Sequence, residues 1–216
     1  GLRKGAPPEQ TNAESFYYSV GPERGFSLGG GFDLTDPMLA SDFSGYAANM
    51  DLSVYLPMPW LRHHALALHG SGGMSGGGFP GRTFYSGGFV DLPLLDVLRN
   101  QLFQGGVVLR GYPPVAIAGK YLSLANAEYR FPIAVIDRGF STLPVQLNRL
   151  TGTLFTDYGS AYDVPRDAKF KLGSGGEIGI ESTLGYYVSF IFRLGYAHGW
   201  MSGGIDKIYF VAAVPY

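Results

Sequence analysis

Apolar side chains recur at every second position in eight segments of this chain, and this period of two constrains the fold more than any other feature. A β-strand points successive side chains to opposite faces, so each segment has one apolar face and one polar or small face. In the clearest segment, 188–196, Phe190, Phe192 and Leu194 alternate with polar and small residues. The other seven segments are 26–34, 52–56, 64–68, 125–131, 150–154, 178–184 and 208–216. Helical spacing explains none of the eight.

The composition excludes several classes of protein. The chain is 46 % hydrophobic and 15 % aromatic, which is too apolar for a disordered segment. A net charge of −1 argues against a nucleic-acid partner, because such binding needs an excess of basic side chains. The absence of Cys excludes disulfides, Cys-ligated zinc and thiol catalysis.

The length of 216 residues allows one domain of ordinary size. Together with the alternating segments it predicts a single β-barrel domain over 1–216, with a leading segment at 1–20. One connection, 72–119, is far longer than the others. A connection of this length in a compact β protein is usually functional. It contains the tetrapeptide Leu-Arg-Gly-Tyr at 109–112.

Two architectures fit eight alternating strands. A soluble sandwich or lipocalin-like barrel turns its apolar face inward and could bind an apolar ligand, whereas a membrane barrel turns that face to lipid. Only 15 % of the residues are charged, which is sparse for a soluble surface and favours the membrane barrel. Aromatic residues near the strand ends also favour it, because they are typical of membrane interfaces. They are Tyr46, Trp60, Tyr129, Tyr187, Tyr196 and Trp200.

Three motifs occur in an order that is characteristic of one family. Leu-Arg-Gly-Tyr at 109–112 looks like that family's V-R-G-F/Y loop motif, and 126–132 is similar to the strand that follows it. Residues 155–159, Phe-Thr-Asp-Tyr-Gly, match an F-x-D-x-G pattern on the next strand. With these motifs the chain resembles the C-terminal barrel of the BamA/TamA superfamily, the outer-membrane assembly and translocation barrels often called bacterial surface antigens.

The resemblance implies an all-β, antiparallel transmembrane β-barrel. The family's complete barrel has sixteen strands, so the eight strands here are either a closed minimal barrel or the C-terminal half. The loop would fold into the lumen, where Arg110 would pair with acids on the two following strands, Glu128 and Asp157. The remaining motif residues are Gly111, Tyr112 and Gly159. The last strand resembles the family's C-terminal insertion signal, at Ile208, Phe210, Val214 and Tyr216.

The resemblance also implies a function in the bacterial outer membrane: insertion and assembly, or translocation, of outer-membrane proteins. The implied partners are the lipid bilayer, nascent outer-membrane protein strands and a second copy through the barrel edges. Strand pairing at a barrel edge makes and breaks no covalent bond, so the chain is predicted not to be an enzyme. Two alternatives remain open: a structural outer-membrane barrel or pore without assembly activity, and a soluble β-barrel that binds an apolar ligand.

The sequence contains only weak evidence for catalytic or metal-binding residues. The Gly-x-Ser-x-Gly pattern at 73–77 lies in an all-β chain without the strand–turn–helix that a nucleophile needs. Glu177 and Glu181 are about 13 Å apart along a strand, too far for paired acid–base catalysis. His63 and His69 share a face but are about 20 Å apart. We therefore expect no catalytic, cofactor-binding or metal site.

Overall fold

The computed structural model describes residues 10–14, 21–35, 44–77, 83–88, 108–139, 145–185 and 188–213. The described residues form eleven β-strands and one 3₁₀ turn, Pro165–Asp167. The strands are β1 (Gln10–Glu14), β2 (Arg24–Thr35), β3 (Gly45–Pro57), β4 (Ala65–Gly77), β5 (Phe84–Ser86), β6 (Ile117–Gly119), β7 (Tyr121–Gly139), β8 (Val145–Tyr162), β9 (Lys171–Leu184), β10 (Val188–Gly199) and β11 (Asp206–Ala213). In this part of the chain no helix is long and apolar enough to cross a bilayer.

Nine of these strands form one antiparallel sheet in the order β1-β2-β3-β4-β7-β8-β9-β10-β11, and β5 pairs with β6 in a small second sheet. Strands that follow one another along the chain are therefore also neighbours in the large sheet, except where β5 and β6 intervene between β4 and β7. The prediction of an all-β, antiparallel fold is confirmed.

All eight predicted strands are present, as β2, β3, β4 and β7 to β11. The structure adds β1, which lies in the leading segment, and the short strands β5 and β6. None of these three shows the apolar alternation: β1 is Gln-Thr-Asn-Ala-Glu, and β5 and β6 have three residues each. The strand β4 also continues to Gly77, through glycines that the alternation assigned to the long connection.

The two edges of the large sheet are β1 and β11. Closure of eight strands requires the first predicted strand, β2, to pair with the last, β11. Over Arg24–Leu28, however, β1 occupies that side of β2. Within the described ranges β1 and β11 do not pair with each other, so the sheet is open there and a closed barrel stays a prediction.

The register separates the sheet into two faces of opposite character. We call the face that carries Asp157 the inner face and the one that carries Phe192 the outer face. Asn126 lies opposite Asp157, and Thr153 lies opposite Glu177, so polar groups adjoin one another across neighbouring strands of the inner face. Its polar and charged side chains include Ser53, His69, Asn126, Glu128, Arg130, Asp157, Glu177 and Arg193.

The outer face is apolar and exposed. Its large exposed side chains extend from β2 to β11. They include Phe26, Phe32, Leu52, Leu68, Leu154, Ile178, Leu194 and Ile208. Monomeric soluble proteins rarely expose a contiguous apolar surface of this extent, because its hydration is unfavourable. This face therefore requires an apolar environment.

Aromatic side chains lie near both ends of the outer face. Near one end Tyr129 packs against His64 and Phe131, and near the other Tyr121 stacks on Tyr162. Tyr121 and Tyr129 lie on the same strand, about 26 Å apart along it. Membrane barrels place aromatic girdles at the two edges of an apolar band about 25 Å tall. Strands of such barrels are tilted by about 35–45°, so the two rings are separated by about 20 Å in height, somewhat less than that band.

The two faces should respond differently to a new charge. Phe192→Arg on the outer face should lower the free energy of unfolding by about 2–4 kcal/mol if the site lies near the bilayer midplane. Ser189→Arg, on the inner face of the same strand, should cost less. Urea unfolding from lipid vesicles measures both. Equal losses for the two variants would contradict a lipid-facing outer surface.

Candidate functional site

The segment that precedes β6 packs onto the inner face of the large sheet. Leu109 and Tyr112 are fully buried there and form an apolar cluster with Ile117 and with Leu124 of β7. Between them the backbone turns at Gly111, whose φ of 83° favours glycine. A Cβ at Gly111 would also lie 2.6 Å from the backbone of His198, too close for any other residue.

The backbone of this turn is bound to the connection between β10 and β11. The N–H of Ile205 donates to the carbonyl oxygen of Gly111 at 2.9 Å. The Tyr112 hydroxyl donates to the Leu172 carbonyl at 3.0 Å and accepts from the Met201 N–H at 3.1 Å. The loop motif is therefore held by the connection between β10 and β11 and by β9.

The Arg110 guanidinium lies among three carboxylates from three adjacent strands. It donates from Nε and Nη2 to the two oxygens of Asp157 on β8, each at 2.8 Å. Nη2 also donates to Glu128 on β7, and Nη1 donates to Glu177 on β9, both at 2.9 Å. The backbone N–H of Arg110 adds a further bond to Asp157 at 2.8 Å. This arrangement uses the fixed fork of a guanidinium, which Lys does not have.

The cluster is buried and its charges balance. Arg110 is 6 % exposed and Asp157 is 1 % exposed. Arg130 pairs with Glu128 at 2.7 Å, and Arg193 lies 3.9 Å from Glu177, so three arginines face three carboxylates. Burial alone would lower the pKa of the Arg110 guanidinium, but the hydrogen bonds and charge of Asp157, together with Glu128 and Glu177, raise that pKa well above its ordinary value.

Each residue type in the pattern at 155–159 has a separate physical role. The Phe155 ring lies flat against the guanidinium, with its centroid 3.5 Å from Arg110 Cζ, a cation–π contact. Asp157 is the bidentate acceptor and is also bound by the Asn126 side-chain amide. Gly159 leaves room for Leu124, because a Cβ there would collide with the Leu124 side chain.

The structure thus brings Arg110, Gly111, Tyr112, Glu128, Asp157 and Gly159 together at one site. The predicted C-terminal signal lies elsewhere, on β11. Ile208 and Phe210 are exposed on the outer face, and Phe210 stacks on Phe192 with a centroid distance of 6.0 Å. Val214 and Tyr216 lie outside the described residues.

Sequence reasoning missed Glu177 and Tyr209 as members of this cluster. The Tyr209 hydroxyl donates to Glu177 at 2.6 Å. Glu177 stood out in the sequence only through its spacing from Glu181, which instead pairs with Arg149. The available signal was the alternation itself, because it places Glu177 on the polar face of its strand.

The other candidate residues are dispersed. Ser75 of the Gly-x-Ser-x-Gly pattern lies within strand β4, and its hydroxyl donates to the Lys120 carbonyl. The Nδ1 atoms of the four histidines lie within hydrogen-bonding distance of four different side chains. These contacts are His63 with Glu23, His64 with Tyr129, His69 with Ser53, and His198 with Asp206.

Comparison with known families agrees with this geometry. The family model described as Omp85 superfamily domain matches residues 18–197 of the chain. The match covers most of the sequence, including the loop motif and the three acids that bind Arg110. A search of curated proteins found no match.

Removing the guanidinium should destabilise the docked loop strongly. Arg110→Ala leaves three buried carboxylates without their shared partner, and breaking a buried ion pair in this way costs about 3–5 kcal/mol. Asp157→Ala should cost a similar amount, and the double variant should be little worse than either single one, because both remove the same interaction. Arg110→Lys should rescue only part of the loss.

Limited proteolysis of the loop and urea unfolding measure these effects. Arg166→Ala is the matched control, since the Arg166 side chain is 90 % exposed and should change neither readout. Additive losses for Arg110→Ala and Asp157→Ala would mean that the two residues act independently.

Steric room at Gly173 should be as important as charge. A Cβ at Gly173 would collide with the Arg110 carbonyl oxygen, so Gly173→Ala should displace the loop and expose it to protease. Gly70→Ala is the control, because a Cβ at Gly70 meets no atom within 4 Å. If protease cut the loop equally fast in both variants, close backbone packing at Gly173 would not hold the loop in place.

Proposed function

This chain belongs to the Omp85 superfamily, and we propose that it acts as a BamA/TamA-type barrel that inserts and assembles, or translocates, outer-membrane proteins. The superfamily is a non-enzymatic family of bacterial outer-membrane proteins that insert or transport other proteins. The finer assignment to the BamA/TamA type is our own.

The observation that carries this proposal is the loop motif docked on the inner face. A charged side chain is stable in a buried site only where it is paired and hydrogen-bonded. Arg110 meets that condition through Asp157, Glu128 and Glu177. The loop therefore packs on the inner face of the sheet and connects strands β7, β8 and β9 through one guanidinium.

The exposed outer face supports placement in a membrane. In a closed or completed barrel, apolar side chains such as Phe32, Leu154 and Ile178 would face lipid while the ion cluster faces the lumen. A soluble barrel has the opposite arrangement, so the soluble alternative is disfavoured. We propose that the sheet is the wall of such a barrel, either closed by this chain or completed by further strands.

The proposed mechanism is strand pairing at the β11 edge. An edge strand presents unpaired N–H and C=O groups that can template another strand. In the described part of the chain β11 pairs only with β10. We propose that the side of β11 opposite β10 pairs with a strand of an incoming outer-membrane protein, or with a second copy of this chain. No covalent bond changes in either event.

Disulfide trapping tests this mechanism directly, because the chain contains no Cys. Ile208→Cys places a thiol on the β11 edge, and Ile178→Cys places one on the same face of β9, which has a neighbour on both sides. In vesicles, Ile208→Cys should cross-link to a single-cysteine outer-membrane protein while that protein folds, and Ile178→Cys should not.

Other outcomes separate the alternatives. Cross-links only between copies of this chain would favour a structural oligomer. Ion conductance without any cross-link to the folding protein would favour a pore without assembly activity. Equal cross-linking from Ile208→Cys and Ile178→Cys would contradict a specific pairing edge.

A further inference from the structure

Tyr209 is buried although it lies on an edge strand. Its neighbours along β11, Ile208 and Phe210, are 72 % and 42 % exposed on the outer face, whereas Tyr209 is 6 % exposed on the inner face. An edge strand has a partner strand on one side only, so burial of its side chains depends on contacts across the sheet. Tyr209 makes such a contact.

The contact spans two strand spacings. Tyr209 lies opposite Gly195 on β10, and Gly195 lies opposite Glu177 on β9. Two spacings are about 9.6 Å, which a Tyr side chain can bridge only if it lies flat across the strand between. Gly195 permits this, since a Cβ there would collide with the Tyr209 ring. The hydroxyl then donates to Glu177 Oε1 at 2.6 Å.

The same oxygen binds the loop. Glu177 Oε1 also accepts from Arg110 Nη1 at 2.9 Å, so one carboxylate oxygen joins the loop motif to the edge strand. A second hydrogen bond holds the connection between β10 and β11, where the Ile205 N–H donates to the Gly111 carbonyl. The β10–β11 hairpin is thereby bound to the docked loop at two separate points.

We infer that Glu177 and Tyr209 are positioning residues that couple docking of the loop motif to the order of the edge strand β11. With the loop docked, Glu177 is oriented by Arg110 and holds Tyr209, and through it the edge strand. With the loop released, Glu177 loses Arg110 and is no longer held in the orientation that binds Tyr209. This inference rests on the proposed use of β11 as the pairing edge. The docked loop would then control how readily β11 accepts another strand.

Hydrogen exchange of the folded chain in lipid vesicles tests the coupling. Tyr209→Phe keeps the ring over Gly195 and removes only the hydroxyl, and Glu177→Gln keeps the shape and removes the charge. Loss of a buried hydrogen bond to a charged group changes an opening equilibrium by about tenfold or more. The amides of residues 207–212 that bond to β10 should therefore exchange about tenfold faster in either variant.

The matched control is Tyr196→Phe. It removes a Tyr hydroxyl from the same hairpin, but on the outer face, where that hydroxyl donates to exposed Asp206 at 2.6 Å. Exchange of the β11 amides in this variant should stay close to the wild-type rate. Each variant is first checked for folding by its change in gel mobility on heating. If Tyr209→Phe does not fold, the exchange experiment is carried out with Glu177→Gln.

Arg110→Lys distinguishes coupling from a local packing role. It should accelerate β11 exchange in the wild-type background and add much less in the Tyr209→Phe background, where the Ile205–Gly111 hydrogen bond is the remaining connection described above between the loop and the hairpin. Unchanged β11 exchange in Tyr209→Phe, or effects of Arg110→Lys and Tyr209→Phe that multiply, would overturn the inference. Exchange is measured without a substrate protein, so this result is separate from success or failure of the cross-linking experiment.

Discussion

The ion pair between Arg110 and Asp157 is the interaction on which the rest of the site depends. A guanidinium buried to this degree is tolerated only with acceptors in fixed positions. Those acceptors come from β7, β8 and β9, so the register of three neighbouring strands must be correct at the same time. A slip of one residue in any of them would turn its carboxylate to the outer face.

The ion cluster and the apolar outer face are two consequences of one constraint. Successive residues of a strand point in opposite directions, and in these strands polar and apolar residues alternate. The polar residues therefore lie on the inner face and the apolar residues on the outer face. The loop completes the inner face with Leu109 and Tyr112, which pack on Leu124. Polar groups are therefore sequestered on one side of the sheet, and the other side is left suitable for hydrocarbon.

Glycine explains how large side chains lie flat on the inner face. The Phe155 ring lies over Gly175 and the Tyr209 ring lies over Gly195, positions where a Cβ would collide with the ring. Glycine in a strand weakens it, but here it permits close approach of a ring from the neighbouring strand. The 33 glycines of the chain, unusual for a soluble domain, have in these positions a structural reason.

The sequence by itself determined eight of the strands, their two faces and two of the three acids that bind the loop motif. Alternation is a local property of the chain, so the eight strands and the inner position of Glu128 and Asp157 could be read without a structure. β1 could not be predicted, because Gln10–Glu14 has no apolar alternation and is a strand only through its pairing with β2. The strand count therefore differed from expectation.

Only the tertiary structure decided which distant residues meet. Glu177 shows in the sequence that it lies on a polar face, but its contacts with Arg110 and Tyr209 depend on cross-strand register and on the bare backbone of Gly195. The period of two determines the face on which a residue lies, but the register also depends on the turns between neighbouring strands, and the docking of the loop depends on packing between segments far apart in the chain. For this reason the sequence identified the charged face, and the tertiary structure identified the side chains that meet on it.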